Sequence, residues 1–324
     1  MKMRFLQVVL LLSGLGTFTF AQQDMSLTHF IYNKMTLNPG ETGLDEGICA
    51  TTIYRNQWDK VNGAPNSAIL NLEANMNRFF PGGVGLSFYH DEIGFVRQNN
   101  LLLNYSYPLE IPGVGRLGLG IGLGIQNLGM SPIWEPPSTL IDPTLPVGFS
   151  GTKFDLNFGL YLKGDAGYYV GLSSTHLPQS IFVSNGSLVS GAAASTFNVV
   201  RHYYLMGGYK YKDIVTDGDL EGNVLLRTDM VKFSADINAR FIWKNMAYGG
   251  LTYRTSDAVA IMLGALPLKI MNGPSAPDLT VGYSYDITIN KFSSISRGSH
   301  EILLKYCYYL PPIPIQKSKH PRWL

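Results

Sequence analysis

The sequence has few charges, only two cysteines and, after its first residues, no long apolar run. Asp, Glu, Lys and Arg make up 15% of its 324 residues. No basic run is present that would attract a phosphate backbone. No segment after residue 21 offers the roughly 18–20 consecutive apolar residues that a membrane-spanning helix needs. These absences argue against nucleic-acid binding and against a helical membrane protein.

The N-terminal 21 residues have the pattern of an export signal. Lys2 and Arg4 precede an apolar run at 5–12, and Thr19–Ala21 forms a small-residue cleavage site. A buried or spanning helix is the alternative, but this run is short and soon meets polar residues. We therefore expect residues 1–21 to be a signal peptide. Without them, 23 basic residues balance the 23 acidic ones.

Alternation between apolar and polar residues recurs along most of the remaining chain. In the segment 281–290 the apolar residues share one parity and Asp286 has the other, and 233–241 shows the same arrangement around Asp236. Because successive side chains of a strand point to opposite faces, each segment has an apolar face and a polar face. Mid-strand charges on the polar parity suit a strand whose other face meets lipid. In an exported chain this pattern predicts an outer-membrane β-barrel, with a soluble β-sandwich as the alternative.

The repeated pattern predicts an all-β fold with a single domain in the membrane. About 14 segments between residues 48 and 309 have the length of a tilted membrane strand. We expect one transmembrane antiparallel β-barrel whose even strand number leaves both termini in the periplasm. Residues 22–47 would form a periplasmic or lumen-packing segment, 48–309 the barrel and 310–324 a periplasmic tail. The predicted strands include 197–212 and 230–243.

One predicted strand, 117–125, has glycine at every second position. A dinucleotide-binding fingerprint requires its third glycine three residues after the second, but Leu123 occupies that place after Gly118 and Gly120. Glycine in a strand permits sharp curvature or the close approach of another backbone. The pattern therefore predicts either a curved strand or an inner wall against which the N-terminal segment or an inward loop packs.

No arrangement of residues resembles a catalytic, cofactor or metal site. The chain has no G-x-S-x-G and no H-E-x-x-H motif, and its six histidines are scattered. We expect no enzyme activity, cofactor or bound metal. Charged residues on the inward parity are instead expected to pair inside the lumen, with Asp286 meeting a basic partner. The lumen-facing candidates are Arg55, Asp155, Asp236, Arg240, Arg254, Asp286, Glu301 and Lys305.

The two cysteines fall at opposite ends of the predicted barrel sequence. Cys49 begins the first strand and Cys307 is near the end of the last. Barrel closure makes these two strands neighbours, and an exported chain meets an oxidising compartment. A disulfide across this seam requires Cα atoms within disulfide range.

Two long connections, 128–151 and 177–196, are expected on the outer side of the barrel. The first is rich in proline and carries Trp134. Long loops on one side and short turns on the other are usual in outer-membrane barrels. The proline-rich connection is a candidate partner surface or a stiff lid.

Short motifs in order along nearly the whole chain resemble the PorP/SprF family, outer-membrane proteins associated with type IX secretion and gliding motility. The motifs are Phe30–Asn33, Leu37–Gly40, Tyr54–Trp58, Asp91–Gly94, Arg201–Tyr204, Tyr253–Ala258, Gly282–Asp286, Gly298–Ile302 and Pro321–Leu324. One departure is Asn38–Glu41, which reads Asn-Pro-Gly-Glu where the family more usually has Asn-Pro-Ala-Tyr. The motif residues Arg55, Arg254, Asp286 and Glu301 are expected to make structure-defining contacts inside the barrel.

The resemblance implies a non-enzymatic outer-membrane protein whose partners are lipid and type IX secretion components, a secreted adhesin, or both. Such a barrel would dock partner proteins or support secretion and surface attachment of a cargo adhesin. A diffusion or hydrophobic-substrate channel is the alternative, and it needs an open lumen. A third reading is a surface adhesin that acts through the connection 128–151.

Overall fold

The computed structural model describes residues 24–132, 148–183, 196–273 and 276–309. Within these ranges fourteen antiparallel strands close into one barrel, and two further strands form a separate hairpin. The strands are β1 (Ile48–Asn56), β2 (Asn66–Asn75), β3 (Gly83–Ile93), β4 (Val96–Ile111), β5 (Gly115–Met130), β6 (Phe149–Gly164), β7 (Tyr168–Thr175), β8 (Ile181–Val183), β9 (Thr196–Asn198), β10 (His202–Val215), β11 (Gly218–Thr228), β12 (Phe233–Trp243), β13 (Ala247–Arg254), β14 (Ala258–Ala265), β15 (Asp278–Thr288) and β16 (Ser299–Tyr308). The predicted all-β barrel of about fourteen strands is confirmed.

Within the described ranges, helical structure is limited to short pieces. The α-helices are Lys34–Leu37 and Pro267–Asn272, and the 3-10 helices are Phe30–Tyr32, Pro39–Glu41 and Lys291–Ser294. Among the described residues, no helix has both the length and the apolar character required to cross a membrane.

The barrel closes where the first strand meets the last. β1 pairs with β2 on one side and with β16 on the other, and Ile48 is the Cα partner of Tyr308. Both ends of the barrel sequence therefore lie at the same rim. The long connections, β5 to β6 and β7 to β10, leave from the opposite rim. Since long loops are extracellular in outer-membrane barrels, the rim with both termini is the periplasmic one.

The two faces of the wall differ sharply in exposure. On β15, Val281, Tyr283 and Ile287 are 43%, 45% and 47% exposed, whereas Ser284 and Asp286 are fully buried. The exposed apolar residues form the outer surface of the barrel, and the polar residues point into the lumen. This division follows from the alternation in the sequence, because one register assigns every side chain to a face.

The predicted strand 230–243 is present but starts a little later, since β12 begins at Phe233. Asp229 Oδ1 accepts hydrogen bonds from the backbone N–H groups of Val231 and Lys232, at 2.9 and 2.6 Å. An aspartate that binds the backbone two or three residues ahead favours a turn over a strand. Residues before Phe233 therefore belong to the β11–β12 turn.

The predicted strand 197–212 was also wrong at its start, because β9 ends at Asn198 and β10 begins at His202. β9 pairs with β8 outside the barrel ladder. Phe182 of this hairpin packs with Leu128 and Val199, and all three side chains are buried. The apolar cluster packs the hairpin against the outer end of β5.

Residues 24–47, which we call the plug, occupy the lumen. The chain enters near the outer rim, where Asp24 lies beside His176, and leaves near the periplasmic rim, where Asp45 meets Lys163. Phe30, Ile31 and Leu44 are buried within the main hydrophobic cluster of the molecule, together with tyrosine and methionine side chains of the wall. The barrel thus has a packed interior.

Candidate functional site: the plugged lumen

The glycine face of β5 lies against the backbone of the plug. A Cβ atom at Gly118 would overlap the carbonyl oxygen of Gly40, and one at Gly120 would overlap Pro39. Ser106 Oγ donates a hydrogen bond to the same Gly40 oxygen at 2.8 Å. Glycine in the wall is therefore needed for close backbone approach, as the sequence suggested in one of its two readings.

Gly40 is itself constrained on the plug side. A Cβ atom there would lie 2.8 Å from the Gly118 oxygen and 2.9 Å from the Gly159 oxygen. Asn38 Oδ1 accepts the Gly40 N–H at 2.8 Å, and Asn38 Nδ2 donates to the Leu160 oxygen at 2.9 Å. The departure from the family's usual alanine thus fits a position where no side chain has room.

A buried glutamate of the wall binds the backbone of the plug. Glu301 accepts the N–H of Thr28 at 2.9 Å and that of His29 at 2.7 Å, and its Oε1 is also 2.7 Å from His29 Nδ1. Arg55 Nη1 donates to Glu301 Oε2 at 2.9 Å. The carboxylate joins the barrel seam to the plug, because β1 and β16 supply the ion pair and the plug supplies the remaining donors.

Asp286 extends this contact to a second arginine. Its carboxylate accepts from Arg55 Nη2 at 2.7 Å, Arg254 Nη1 at 3.2 Å and Thr28 Oγ1 at 2.8 Å. β14 lies between β13 and β15, and its inward residues beside this contact are small: Ala258 is opposite Arg254, and Ala260 is opposite Asp286. Arg254 can therefore reach across β14 to Asp286.

The network ends at Asp236. Asp236 accepts from Arg254 Nε at 3.2 Å and from Arg227 Nη2 at 2.7 Å, and Arg227 also donates to Ser26 Oγ of the plug at 2.8 Å. These charged side chains are at most 3% exposed. Leaving one buried charge without its partner costs about 3–5 kcal/mol, so this network fixes the outer half of the plug strongly.

A second polar group holds the start of the plug. His176 Nε2 is 3.2 Å from Asp24 Oδ1, and His176 Nδ1 is 2.9 Å from Asp155 Oδ2. Tyr204 donates to Asp24. Burial by itself would lower the pKa of His176, but Asp24 and Asp155 raise it to about 10. Burial would raise the pKa of Asp24, but His202 and His176 hold it below its usual value.

Near the periplasmic rim the contacts are more open. Arg240 pairs with Glu221 at 2.8 Å and donates to Tyr32 of the plug at 2.7 Å. Lys305 lies 3.9 Å from Glu73. A recess of about 440 Å³ remains between this part of the plug and the wall.

Cys49 and Cys307 are joined by a disulfide bond. They are direct partners in the β1–β16 ladder, and their Cα atoms are 4.1 Å apart. The bond links the first and last barrel strands near the periplasmic rim, so the ring of strands is covalently closed.

Sequence reasoning named eight charged candidates, and the structure divides them into two sets. One set forms the single network at the outer half of the plug: Arg55, Asp236, Arg254, Asp286 and Glu301. The other three, Asp155, Arg240 and Lys305, each have a separate partner. Trp134 lies outside the described residues, and its role as a partner surface stays a prediction.

Sequence reasoning missed the plug residues that complete the network. Thr28 and His29 precede the first predicted strand, and Arg227 and His176 were not singled out. The sequence shows polar residues just before the motif Phe30–Asn33, but it does not indicate which part of the barrel wall they contact. Among the described residues, no group of three or more His, Cys, Asp or Glu side chains could hold a metal ion.

Comparison with known proteins identifies the family. The model of the type IX secretion system membrane protein PorP/SprF family matches residues 19–306. No curated protein matches the chain.

Similar solved structures are distant in sequence and in shape. The CymD monoaromatic hydrocarbon channel is 10% identical, with 86% of this chain and 93% of that chain covered and a TM-score of 0.49. A Pseudomonas aeruginosa FadL homologue is 10% identical, with 83% and 91% covered and a TM-score of 0.46. The NanC porin is 10% identical, with 81% and 100% covered and a TM-score of 0.35.

The family match covers the plug and almost the whole barrel, from residue 19 to residue 306. Family and fold are those of a secretion or transport membrane protein and correspond to no known enzyme class. The protein is an outer-membrane β-barrel that belongs to the PorP/SprF family of type IX secretion system membrane proteins.

Proposed function

We propose that this protein is a non-conducting barrel that docks partner proteins of the type IX machinery and supports secretion and surface attachment of a cargo adhesin. The observation that carries the proposal is the plugged lumen. Arg55, Asp286 and Glu301 bind the plug's outer half, and the glycine wall contacts its periplasmic half. A lumen filled in this way favours a scaffold over a passage.

The two ends of the barrel also differ from each other. At the outer end, Phe182, Leu128 and Val199 are buried against one another. At the periplasmic end, the recess leaves polar and aromatic side chains accessible. An accessible recess at the periplasmic end suits a protein that receives a periplasmic partner.

Deletion of the protein in its native host tests the proposal. We expect loss of surface display of one cargo adhesin, or of all type IX cargo, with unchanged uptake of small solutes. Restoring the intact chain should restore display. If deletion changed only solute uptake, the docking role would be wrong.

The second candidate is a diffusion or hydrophobic-substrate channel. The periplasmic recess favours it, because the lumen is not filled completely at that end. Conduction would require the plug to leave its contacts with Glu301 and Asp286. Large, stable conductance steps of the intact protein in planar bilayers would support this alternative.

A further inference from the structure

The turn between β2 and β3, residues 76–82, presents two adjacent phenylalanines at the periplasmic rim. Phe79 is 76% exposed, more than any other aromatic side chain among the described residues, and Phe80 is 42% exposed. Single exposed apolar side chains are common on proteins, but a contiguous exposed apolar surface marks a contact with a membrane or with a protein. The surroundings of these two rings therefore decide what they indicate.

Hydrogen bonds within the turn fix its shape. The N–H groups of Phe79 and Phe80 both donate to the Met76 oxygen, at 2.8 and 3.0 Å. The Gly82 N–H donates to Asn77 Oδ1 at 2.8 Å. Gly82 has a φ of +124°, a conformation that favours glycine. The two rings are therefore exposed by an ordered turn.

The turn lies against the outer surface of the barrel. Tyr105 points outward from β4, because it has the parity of Leu103, which is 65% exposed, whereas Ser106 has the other parity and is fully buried. The Tyr105 hydroxyl donates to the Pro81 oxygen at 2.7 Å. The Tyr105 ring centroid is 6.4 Å from that of Phe80. These contacts attach the turn to the side of the wall that faces away from the lumen.

The Phe80 ring extends an apolar part of this outer wall. In the ladder between β3 and β4, Tyr105 is opposite Val84 and Leu103 is opposite Leu86. Leu103, Tyr105 and Phe80 thus follow one another toward the rim. The turn continues the apolar surface that an outer-membrane barrel presents to lipid.

We propose that the β2–β3 turn is a membrane anchor that places Phe79 and Phe80 in the interfacial zone of the periplasmic leaflet. Aromatic side chains favour this zone of a bilayer. The segment 74–89 contains no acidic residue, and its one charged residue, Arg78, is basic. Because like charges repel, this composition suits a contact with lipid phosphates. The contact is made with lipid and requires no partner protein of the proposed docking function.

A spin label at position 79 tests the proposal on the purified full chain in vesicles of phosphatidylethanolamine and phosphatidylglycerol. Because Cys49 and Cys307 are joined in a disulfide, Phe79→Cys supplies a single reactive thiol for a nitroxide. Collisions of the nitroxide with oxygen report lipid, and collisions with a water-soluble nickel chelate report water. We expect the ratio of oxygen to nickel collisions to be at least tenfold higher than for Thr216→Cys, an exposed position in the β10–β11 turn of the same rim. Leu103→Cys gives the reference ratio for the outer wall.

Two outcomes of the labelling overturn the proposal. A ratio at position 79 equal to that of Thr216→Cys would place the turn in water. A label that neither reagent reaches would mean that a second copy of the chain covers the turn.

Crosslinking in the native host distinguishes lipid from a partner protein. Benzoylphenylalanine in place of Phe79 keeps an aromatic side chain and reacts with its neighbours under light. We expect lipid adducts, as for the same replacement at Leu103, and therefore almost no change in the mobility of the protein on a gel. A crosslinked band with the added mass of another protein would contradict the membrane anchor.

Discussion

Replacement of Asp286 by alanine tests whether the buried charges hold the plug. The substitution removes the acceptor of Arg55 Nη2 at 2.7 Å, of Arg254 Nη1 at 3.2 Å and of Thr28 Oγ1 at 2.8 Å. Breaking a buried ion pair costs about 3–5 kcal/mol. Each arginine keeps another carboxylate, so we expect a loss of about 3 kcal/mol, at the low end of that range.

Two measurements follow this loss. Urea unfolding in lipid vesicles gives the free energy of unfolding, and limited trypsin cleavage after Lys34 reports release of the plug. A loss of 3 kcal/mol corresponds to a roughly 100-fold larger population of the released state. Asp217→Ala is the control, because its ion pair with Lys244 is exposed, at 3.5 Å, and should change stability by less than about 1 kcal/mol. If Asp286→Ala matched this control in both assays, the charges would not hold the plug.

Three further changes probe other contacts of the barrel. Gly120→Val should displace the plug and destabilise the barrel by about 1–3 kcal/mol through overpacking. Gly222→Val is the control, because nothing lies within 4 Å of an added Cβ there, and it should leave trypsin cleavage of the plug unchanged. Equal effects of the two substitutions would refute the close approach of plug and wall. Reduction of the Cys49–Cys307 disulfide, which spans 258 residues, should shift the unfolded protein on a gel and lower the free energy of unfolding by about 4 kcal/mol. An unchanged gel position would mean that the disulfide is not formed. The pKa of His176 is raised to about 10, so its contribution is complete below its ordinary value of about 6.5 and is lost as the pH rises toward 10. Amide-exchange protection of the plug's first residues should therefore fall as the pH rises across that range. In His176→Gln this protection should not change with pH. The same pH dependence in both proteins would contradict the role of His176.

The division of the wall into two faces could be predicted from sequence because it depends only on parity. Asp236 and Asp286 are inward whatever the tilt of the strands, since a strand alternates its side chains with a period of two. Neighbouring strands of the seam could likewise be inferred from closure, which brought Cys49 and Cys307 together. The position of each residue along the barrel axis also depends on the stagger between strands, and the alternation of side chains does not reveal that stagger.

The partners of the charged residues could not be predicted for this reason. Arg254 reaches Asp286 across a whole strand because Ala258 and Ala260 are small, and this contact depends on three strands at once. The contacts of Thr28 and His29 depend on the path of a segment with no regular pattern. Long-range contacts of an irregular segment leave no periodic signal in the sequence.

Electrical recording from the purified protein in planar bilayers tests the filled lumen most directly. We expect no large, stable conductance steps for the unaltered chain. We expect Asp286→Ala, which removes the wall acceptor of the Thr28 hydroxyl of the plug, to allow such steps. Large stable steps from the unaltered chain, at the frequency seen for the variant, would contradict the account.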